Sequence, residues 1–247
     1  MTMRLGCLDH DPAVAAALPQ VRYGARPLAA SVMPDLSWTP ELGANDRLPT
    51  CVPTALVNAT RASVRYLGGG DIEVPTAAIK ALYARAIGMP GVTEAQLAAT
   101  YGSDPLVVMG LAGSQGWDVG LQAPLVPSYG VGDGTQASIA GPIADVGAVM
   151  LAVTLYEADM TYQAEGFPRV DPPSGEIAGG HMIAGCGYSA LVSEGRLTLA
   201  TWGAWQQASW SWLMPRLRLV MPVLVRDVLP PAAAPRYAAL AAQVGAT

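Results

Sequence analysis

The sequence predicts an α+β fold in which a helical lobe is followed by a β lobe. Before residue 130, apolar residues recur at helical spacing in three segments. After residue 130, β-branched and apolar runs alternate with turns rich in glycine, proline and serine. A chain of 247 residues lies near the upper limit of one hydrophobic core, so we expect one domain or two lobes that share a cleft.

The helical lobe is predicted over about residues 50–130 and the β lobe over about residues 131–229. The first helix is expected over residues 54–67, where Pro53 occupies a position that a first helical turn tolerates. Residues 141–156 predict a helix followed by a buried strand. The other predicted elements are helices over 75–87 and 104–115, and strands over 146–156, 180–188, 196–202 and 217–225.

Two flanking segments complete the predicted organisation around a domain of residues 35–229. Residues 1–34 alternate apolar and turn-forming residues, which indicates an arm laid over the core. Residues 230–247 form a tail rich in proline and alanine with a short helix, typical of a docking or spacing element. Either segment is a candidate contact region for a protein assembly partner.

Charge and hydropathy exclude several classes of partner. The net charge is −5, and no block of Lys or Arg is present, so neither nucleic acid nor an anionic membrane is an expected partner. The longest apolar stretch is shorter than the roughly 20 residues of a membrane span. The first residues lack the apolar core of a signal peptide, and we expect a cytoplasmic or virion-associated protein.

The cysteine and histidine content argues against disulfides, metals and cofactors. Three cysteines are too few for a disulfide framework, which favours a reducing compartment. Two histidines and no Cys-x-x-Cys spacing leave a zinc site without ligands, so no metal or cofactor is predicted. Cys7 is expected to be exposed near the terminus, and Cys186 is expected to be a core thiol.

Cys51 and His181 are the candidate catalytic pair. Cys51 opens the first predicted helix, whose N-terminus favours a thiolate. His181 follows two glycines at the start of a predicted strand, about 130 residues further on, a separation typical of one class of thiol hydrolases. We expect the two to meet across the cleft as nucleophile and base. The simpler alternative is a buried cysteine and a hydrogen-bonded core histidine.

Three motifs, in order and spacing, resemble those of the papain-like cysteine peptidases, particularly the bacterial and phage branch without disulfides. Residues 45–51 read NDRLPTC, similar to the family's QGxLGSC. Residues 179–188 read GGHMIAGCGY, similar to GGHAVxxxGY, and residues 199–205 read LATWGAW, similar to xNSWGxxW. The resemblance implies a papain-like two-lobe fold, with a cysteine at a helix start and an antiparallel β lobe.

The resemblance also implies roles for individual residues. Asn45 stands in place of the glutamine that donates to the oxyanion, and Trp202 stands where a tryptophan shields the triad. Gly102 and Ser103 lie at the position of the substrate-binding wall.

The triad asparagine is replaced by Ala200, which cannot accept a hydrogen bond from the imidazole. Strand alternation is expected to point the neighbouring Thr201 to the other face.

These residues predict a papain-like thiol hydrolase that cleaves peptide or isopeptide bonds through a Cys–His acyl-enzyme, with weakened activity. The alternative is an inert papain-fold structural or interaction protein, such as a component of a phage virion. A transferase or amidase with the same pair stays open as well. An enzyme predicts an open groove beside Gly102 and Ser103, and a scaffold predicts a filled groove or a buried sulfur.

Overall fold

The computed structural model describes residues 5–23, 27–161 and 173–245. Parts of three sequence predictions lie outside the described residues. These parts are residues 1–4 and 24–26 of the predicted arm, residues 162–172 of the predicted β lobe, and residues 246–247 of the predicted tail.

Helices dominate the first half of the chain and strands the second, as the sequence predicts. The helices are α1 (Pro12–Ala17), α2 (Cys51–Tyr66), α3 (Thr76–Ala86), α4 (Glu94–Ala98), α5 (Pro105–Gln115), α6 (Gln136–Val146), α7 (Glu157–Thr161), α8 (Trp210–Leu213) and α9 (Ala234–Gln243). The strands are β1 (Gln20–Val21), β2 (Ser128–Tyr129), β3 (Val131–Gly132), β4 (Val149–Tyr156), β5 (Ile177–Tyr188), β6 (Arg196–Thr201), β7 (Ala204–Ser209), β8 (Leu217–Met221) and β9 (Val223–Leu224).

Five strands form the central sheet in the order β7-β6-β5-β4-β8, and every neighbouring pair is antiparallel. Two small sheets lie beside it, a parallel pair of β1 and β3 and an antiparallel pair of β2 and β9. The α+β class with an antiparallel β lobe is therefore confirmed. The domain boundaries stay a prediction.

The central sheet is buried on both faces, which separates the core into two layers. Met150, Ala152, Met182, Ala184 and Ala200 belong to the cluster that contains the start of α2. The opposite face packs against α6 and α8 through a second cluster, which includes Leu151, Val153, Ile183, Leu199, Trp210 and Trp212. Because side chains alternate along a strand, neighbouring residues of β4, β5 and β6 enter different layers.

Helix α2 begins at Cys51, three residues earlier than the sequence pattern indicates. Pro53 lies within its first turn, where the missing N–H is not needed by the helix. The short elements α1, α4 and β7 were not expected from the sequence. Their apolar patterns are brief, and α4 depends on a capping box between Thr93 and Gln96.

The first described residues run through the cleft between the helical side and the sheet. Cys7 forms a parallel bridge with Ser103, and the amides of Gly6 and Cys7 both donate to the carbonyl of Gly180. Further along, Val32 bridges Tyr188 at the far end of β5. We call residues Leu5–Leu8 the cleft segment.

Candidate active site

The loop before α2 holds Cys51 in place through its own backbone. Gly43 and Ala44 both have positive φ, which produces a tight reversal. The hydroxyl of Thr50 donates to the carbonyl of Gly43 at 2.8 Å, and this bond closes the loop. Cys51 then takes the first position of the helix, beside unsatisfied N–H groups that favour negative charge on sulfur.

The Cys51 thiol is buried against the sheet, with only 1% of the residue exposed. The backbones of Met182 and Gly6 lie close enough to the sulfur to lower the pKa of the thiol. Burial nevertheless dominates and raises the pKa of the thiol to about 12. In this closed arrangement the sulfur is a neutral thiol, one residue along β5 from the imidazole of His181.

His181 lies within β5, two residues after Gly179, whose φ of +149° and contact with Leu5 suit a residue without a side chain. Its Nε2 is hydrogen-bonded to the hydroxyl of Thr201 at 2.7 Å. Its Nδ1 is buried and has no hydrogen-bond partner among the described residues. Burial lowers the pKa of the imidazole to about 3, so the ring is neutral. Both candidate reactive groups are therefore uncharged, and the Nδ1 of His181 is not hydrogen-bonded to the Cys51 sulfur.

Thr201 corrects a sequence expectation, because its hydroxyl faces the imidazole instead of pointing away. In the register of β5 and β6, Ala184 lies opposite Ala200. Ala200 therefore shares a face with Ala184, and Thr201 shares the other face with His181. Ala200, at the position of the family's asparagine, therefore points into the core. The next residue, Thr201, supplies the polar contact to the imidazole.

Trp202 stacks on His181 with ring centroids 4.1 Å apart and planes 15° from parallel. It reaches this place because Trp202 and Gly203 form a tight turn between β6 and β7 in which both have positive φ. A positive φ is unusual for a bulky residue. The indole covers the hydrogen bond between His181 and Thr201 and excludes water from it.

Asn45 lies in the loop before α2 and is 1% exposed. Its Oδ1 has no hydrogen-bond partner in the described part of the chain. No structural contact therefore occupies this amide oxygen.

The groove beside Gly102 and Ser103 is filled, which is the observation expected of an inert scaffold. The filling is the chain's own cleft segment. The amide of Ser103 donates to the carbonyl of Gly6 at 2.8 Å, and the amide of Leu8 donates to the carbonyl of Ser103 at 3.1 Å. The expectation of an open groove is therefore wrong for this arrangement.

Cys7 is a second correction, because it is 3% exposed and lies inside the cleft. Burial, followed by the proximity of Cys51, raises the pKa of its thiol well above the usual value. Nothing in the local sequence signals this position, since only the path of the cleft segment brings residue 7 to the groove. Cys186 is buried in the layer next to α2, as expected for a core thiol.

No group of three or more potential metal ligands occurs within residues 5–23, 27–161 and 173–245. The described helices include none that is both long enough and apolar enough for a membrane crossing.

Solved structures with the same fold are cysteine proteases. Xylellain, a cysteine protease from Xylella fastidiosa, has a TM-score of 0.63 at 10% identity, over 90% of this chain and 96% of that chain. Procathepsin B from Trypanosoma congolense has a TM-score of 0.58 at 12% identity, covering 89% and 85%. The Carica candamarcensis protease CMS1MS2, in complex with E-64, has a TM-score of 0.52 at 13% identity, covering 78% and 97%. No family model and no curated protein matches the sequence.

The chain therefore has a papain-like fold, and the predicted fold class is confirmed.

Proposed function

We propose that this protein is a latent papain-like thiol hydrolase that cleaves peptide or isopeptide bonds once the cleft segment withdraws. One observation carries the proposal. The cover over Cys51 is a segment of extended chain held mainly by backbone hydrogen bonds, whereas the thiol, imidazole and hydroxyl behind it are held by α2, β5 and β6. A groove filled by core side chains would have no comparable way to open.

Withdrawal of the segment would reverse the cause of both pKa shifts. Water would reach the sulfur and the ring, so the desolvation that raises the pKa of Cys51 and lowers that of His181 would diminish. The helix N-terminus would then favour the thiolate, and the imidazolium beside it would stabilise that charge.

The chemistry follows from the groups present. In the tautomer with the proton on Nε2, His181 donates to the hydroxyl of Thr201, and the Nδ1 lone pair is left to accept the proton of Cys51. The thiolate attacks the substrate carbonyl, and the oxyanion receives hydrogen bonds from the Cys51 amide and from Asn45. His181 protonates the leaving amine, and water, deprotonated by the same ring, then hydrolyses the thioester.

Thr201 makes a weaker catalytic site than an asparagine at the neighbouring position 200 would make. A hydroxyl orients the ring through one short contact, so some tautomer control is retained. We therefore propose weakened rather than absent activity. A cytoplasmic or virion-associated protein of the bacterial and phage branch fits this proposal.

The second candidate is an inert papain-fold structural or interaction protein, for example in a phage particle. The buried sulfur and the filled groove favour it. In this case the cleft segment is a permanent part of the core, and Cys51 never ionises at neutral pH.

Alkylation of Cys51 by iodoacetamide across a range of pH values separates the two candidates. Leu8→Pro removes the N–H that donates to Ser103 and disfavours docking of the segment, whereas Leu8→Ala keeps that N–H. For a latent hydrolase, we expect fast labelling of Cys51 in the Leu8→Pro variant at pH 7, and expect His181→Ala to abolish it.

Slow labelling of Cys51 in the Leu8→Pro variant, equal to that of the Leu8→Ala control, would favour the inert protein. Mass spectrometry of the labelled peptides distinguishes Cys51 from Cys7 and Cys186.

A further inference from the structure

The residue that lies against the Cys51 sulfur in the cleft is a glycine. The backbone of Gly6 lies close enough to the sulfur to lower the pKa of the thiol, its N–H donates to the carbonyl of Gly180, and its carbonyl accepts from the amide of Ser103. Gly6 is thus hydrogen-bonded to the backbone of both cleft walls, at Gly180 and at Ser103, beside the sulfur. Any peptide that reaches this sulfur in extended form meets the same groups.

The cleft leaves no room for a side chain at this place. A Cβ built on Gly6 would lie 2.6 Å from the Cβ of Pro49 and closer still to its carbonyl oxygen. Such distances are below the 3.0 Å that real Cβ atoms observe. Pro49 immediately precedes the N-cap residue of α2, and its ring restricts the backbone, so this wall cannot easily move aside.

Two glycines, one on each wall of the cleft, are equally close to the segment. A Cβ on Gly102 would collide with the carbonyl of Gly6, and a Cβ on Gly180 would collide with the carbonyl of Cys7. Glycines on both walls therefore allow the two walls to approach the bound backbone. Together, Gly102, Gly180 and Pro49 form a narrow slot beside the sulfur.

The positions on either side of the slot accept side chains. Leu5 packs against Gly179, and the side chain of Cys7 is buried. The cleft is therefore too narrow for a side chain only at the position next to Cys51.

The segment occupies the slot without being presented for attack. The carbonyl of Gly6 is directed to the amide of Ser103 instead of the amides at the start of α2. The bond that follows Gly6 is therefore not polarised by the groups that would stabilise an oxyanion. Gly6 fits the slot because it has no side chain, and its fit therefore indicates how wide the slot is.

We infer that the cleft selects glycine at the position next to Cys51, so that the substrates are peptides or isopeptides with glycine beside the scissile bond. This inference rests on the proposed hydrolase function. Pro49 is its main specificity-determining residue, since its Cβ and carbonyl oxygen would meet the first carbon of any larger side chain.

The first test uses the full chain and needs no catalysis. Gly6→Ala is expected to displace the segment and to raise the alkylation rate of Cys51 by about 10-fold or more, as for one misfitting methyl group. Gly70→Ala is the matched control, because a Cβ at Gly70 meets nothing within 4 Å. Unchanged labelling in a folded Gly6→Ala variant overturns the inference.

A second test avoids any dependence on the folding of the Gly6→Ala variant. Two synthetic peptides, LGSLDHD and LASLDHD, carry residues 5–11 with serine in place of Cys7, and differ only at the slot position. They are added to the Leu8→Pro variant during alkylation. We expect the glycine peptide to protect Cys51 at about 10-fold or more lower concentration than the alanine peptide. Equal protection, or none by either peptide, contradicts the inference.

Peptide hydrolysis by the Leu8→Pro variant separates this inference from the proposed function. Cleavage of glycine peptides about 10-fold or more faster than their alanine counterparts supports both. Cleavage of both at the same rate overturns the glycine selectivity and leaves the hydrolase intact. Glycine-selective protection without cleavage refutes the hydrolase and leaves a glycine-selective binding cleft. Pro49→Gly, which removes the Cβ facing the slot, is expected to reduce the preference.

Discussion

At the scale of single residues, four of the candidate site residues carry a buried polar atom without a hydrogen-bond partner in the described part of the chain. The Oδ1 of Asn45, the Oγ of Ser103, the Nδ1 of His181 and the Nε1 of Trp202 are all buried without a hydrogen-bond partner in the described residues. Such groups are costly and uncommon in native proteins. These atoms belong to residues that the resemblance also selects, and each is available to a ligand or to water.

Thr201 provides a direct test of the orienting contact. Thr201→Ala removes a hydrogen bond worth about 1 kcal/mol, so we expect about a 5-fold loss of Cys51 reactivity in the Leu8→Pro background. Thr201→Ser keeps the hydroxyl and is expected to recover most of the rate. Alkylation kinetics at pH 7 measure both variants, and equal rates for alanine and serine would contradict the assigned role.

His181 makes the stability of the protein sensitive to acid. Its pKa in the folded protein is about 3, below the 6.5 of an unperturbed histidine, so the unfolded chain binds the extra proton more readily. The stabilisation is fully present above pH 6.5 and is lost as the pH falls towards 3, by up to about 1.4 kcal/mol per pH unit. Urea unfolding of the wild type and of His181→Gln measures it.

The glutamine variant is expected to show a flatter dependence of the free energy of unfolding between pH 6.5 and pH 3. Parallel curves for the two proteins would show that another group carries the effect.

At the scale of elements, the register of β5 and β6 decides which residue contacts the imidazole. The alternation rule applied to the sequence separates Ala200 from Thr201 correctly, but it does not reveal which of the two faces His181. The pairing of Ala184 with Ala200 settles that question. The turn at Trp202 and Gly203 then folds the indole over the same hydrogen bond.

The C-terminus of α6 offers a test of how closely an element is packed. Gly147 ends α6 with φ +85°, and a Cβ there would lie closer than 3.0 Å to Tyr66. Gly134 has a similar φ of +78° but meets nothing within 4 Å. We expect Gly134→Ala to cost about 1 kcal/mol from backbone strain alone, and Gly147→Ala to cost a further 1–3 kcal/mol, roughly, from crowding.

Thermal or urea unfolding of the two alanine variants measures this difference. Equal destabilisation would mean that the contact with Tyr66 relaxes freely and that the strain of the positive φ is the whole effect.

At the scale of the whole molecule, the cleft segment joins the two sides of the cleft. Its hydrogen bonds to Gly180 lie on the sheet, and those to Ser103 lie at the start of the region that leads into α5. Arg218 on β8 adds an ion pair with Asp9, just beyond the segment. Because the segment is extended and is held mainly by backbone hydrogen bonds, we propose that it opens without loss of the main core.

We therefore expect Leu8→Pro to increase the amide hydrogen exchange of Ser103 and Cys7 while changing the global free energy of unfolding by no more than about 1 kcal/mol. Leu8→Ala is the control, and hydrogen exchange with mass spectrometry gives the local rates. A large loss of global stability in the proline variant would show that the segment is an integral part of the core.

The sequence by itself determined the α+β class, the order of a helical and a strand half, a helix that begins within three residues of Cys51, and the candidate pair with His181. Periodicity, glycine turns and short motifs are local signals, so a sequence carries them directly. Tertiary structure alone decided that Thr201 instead of Ala200 contacts His181, that Cys7 is buried, and that the groove is filled. These outcomes depend on strand register and on contacts between residues distant in the chain, and local sequence does not encode either of them.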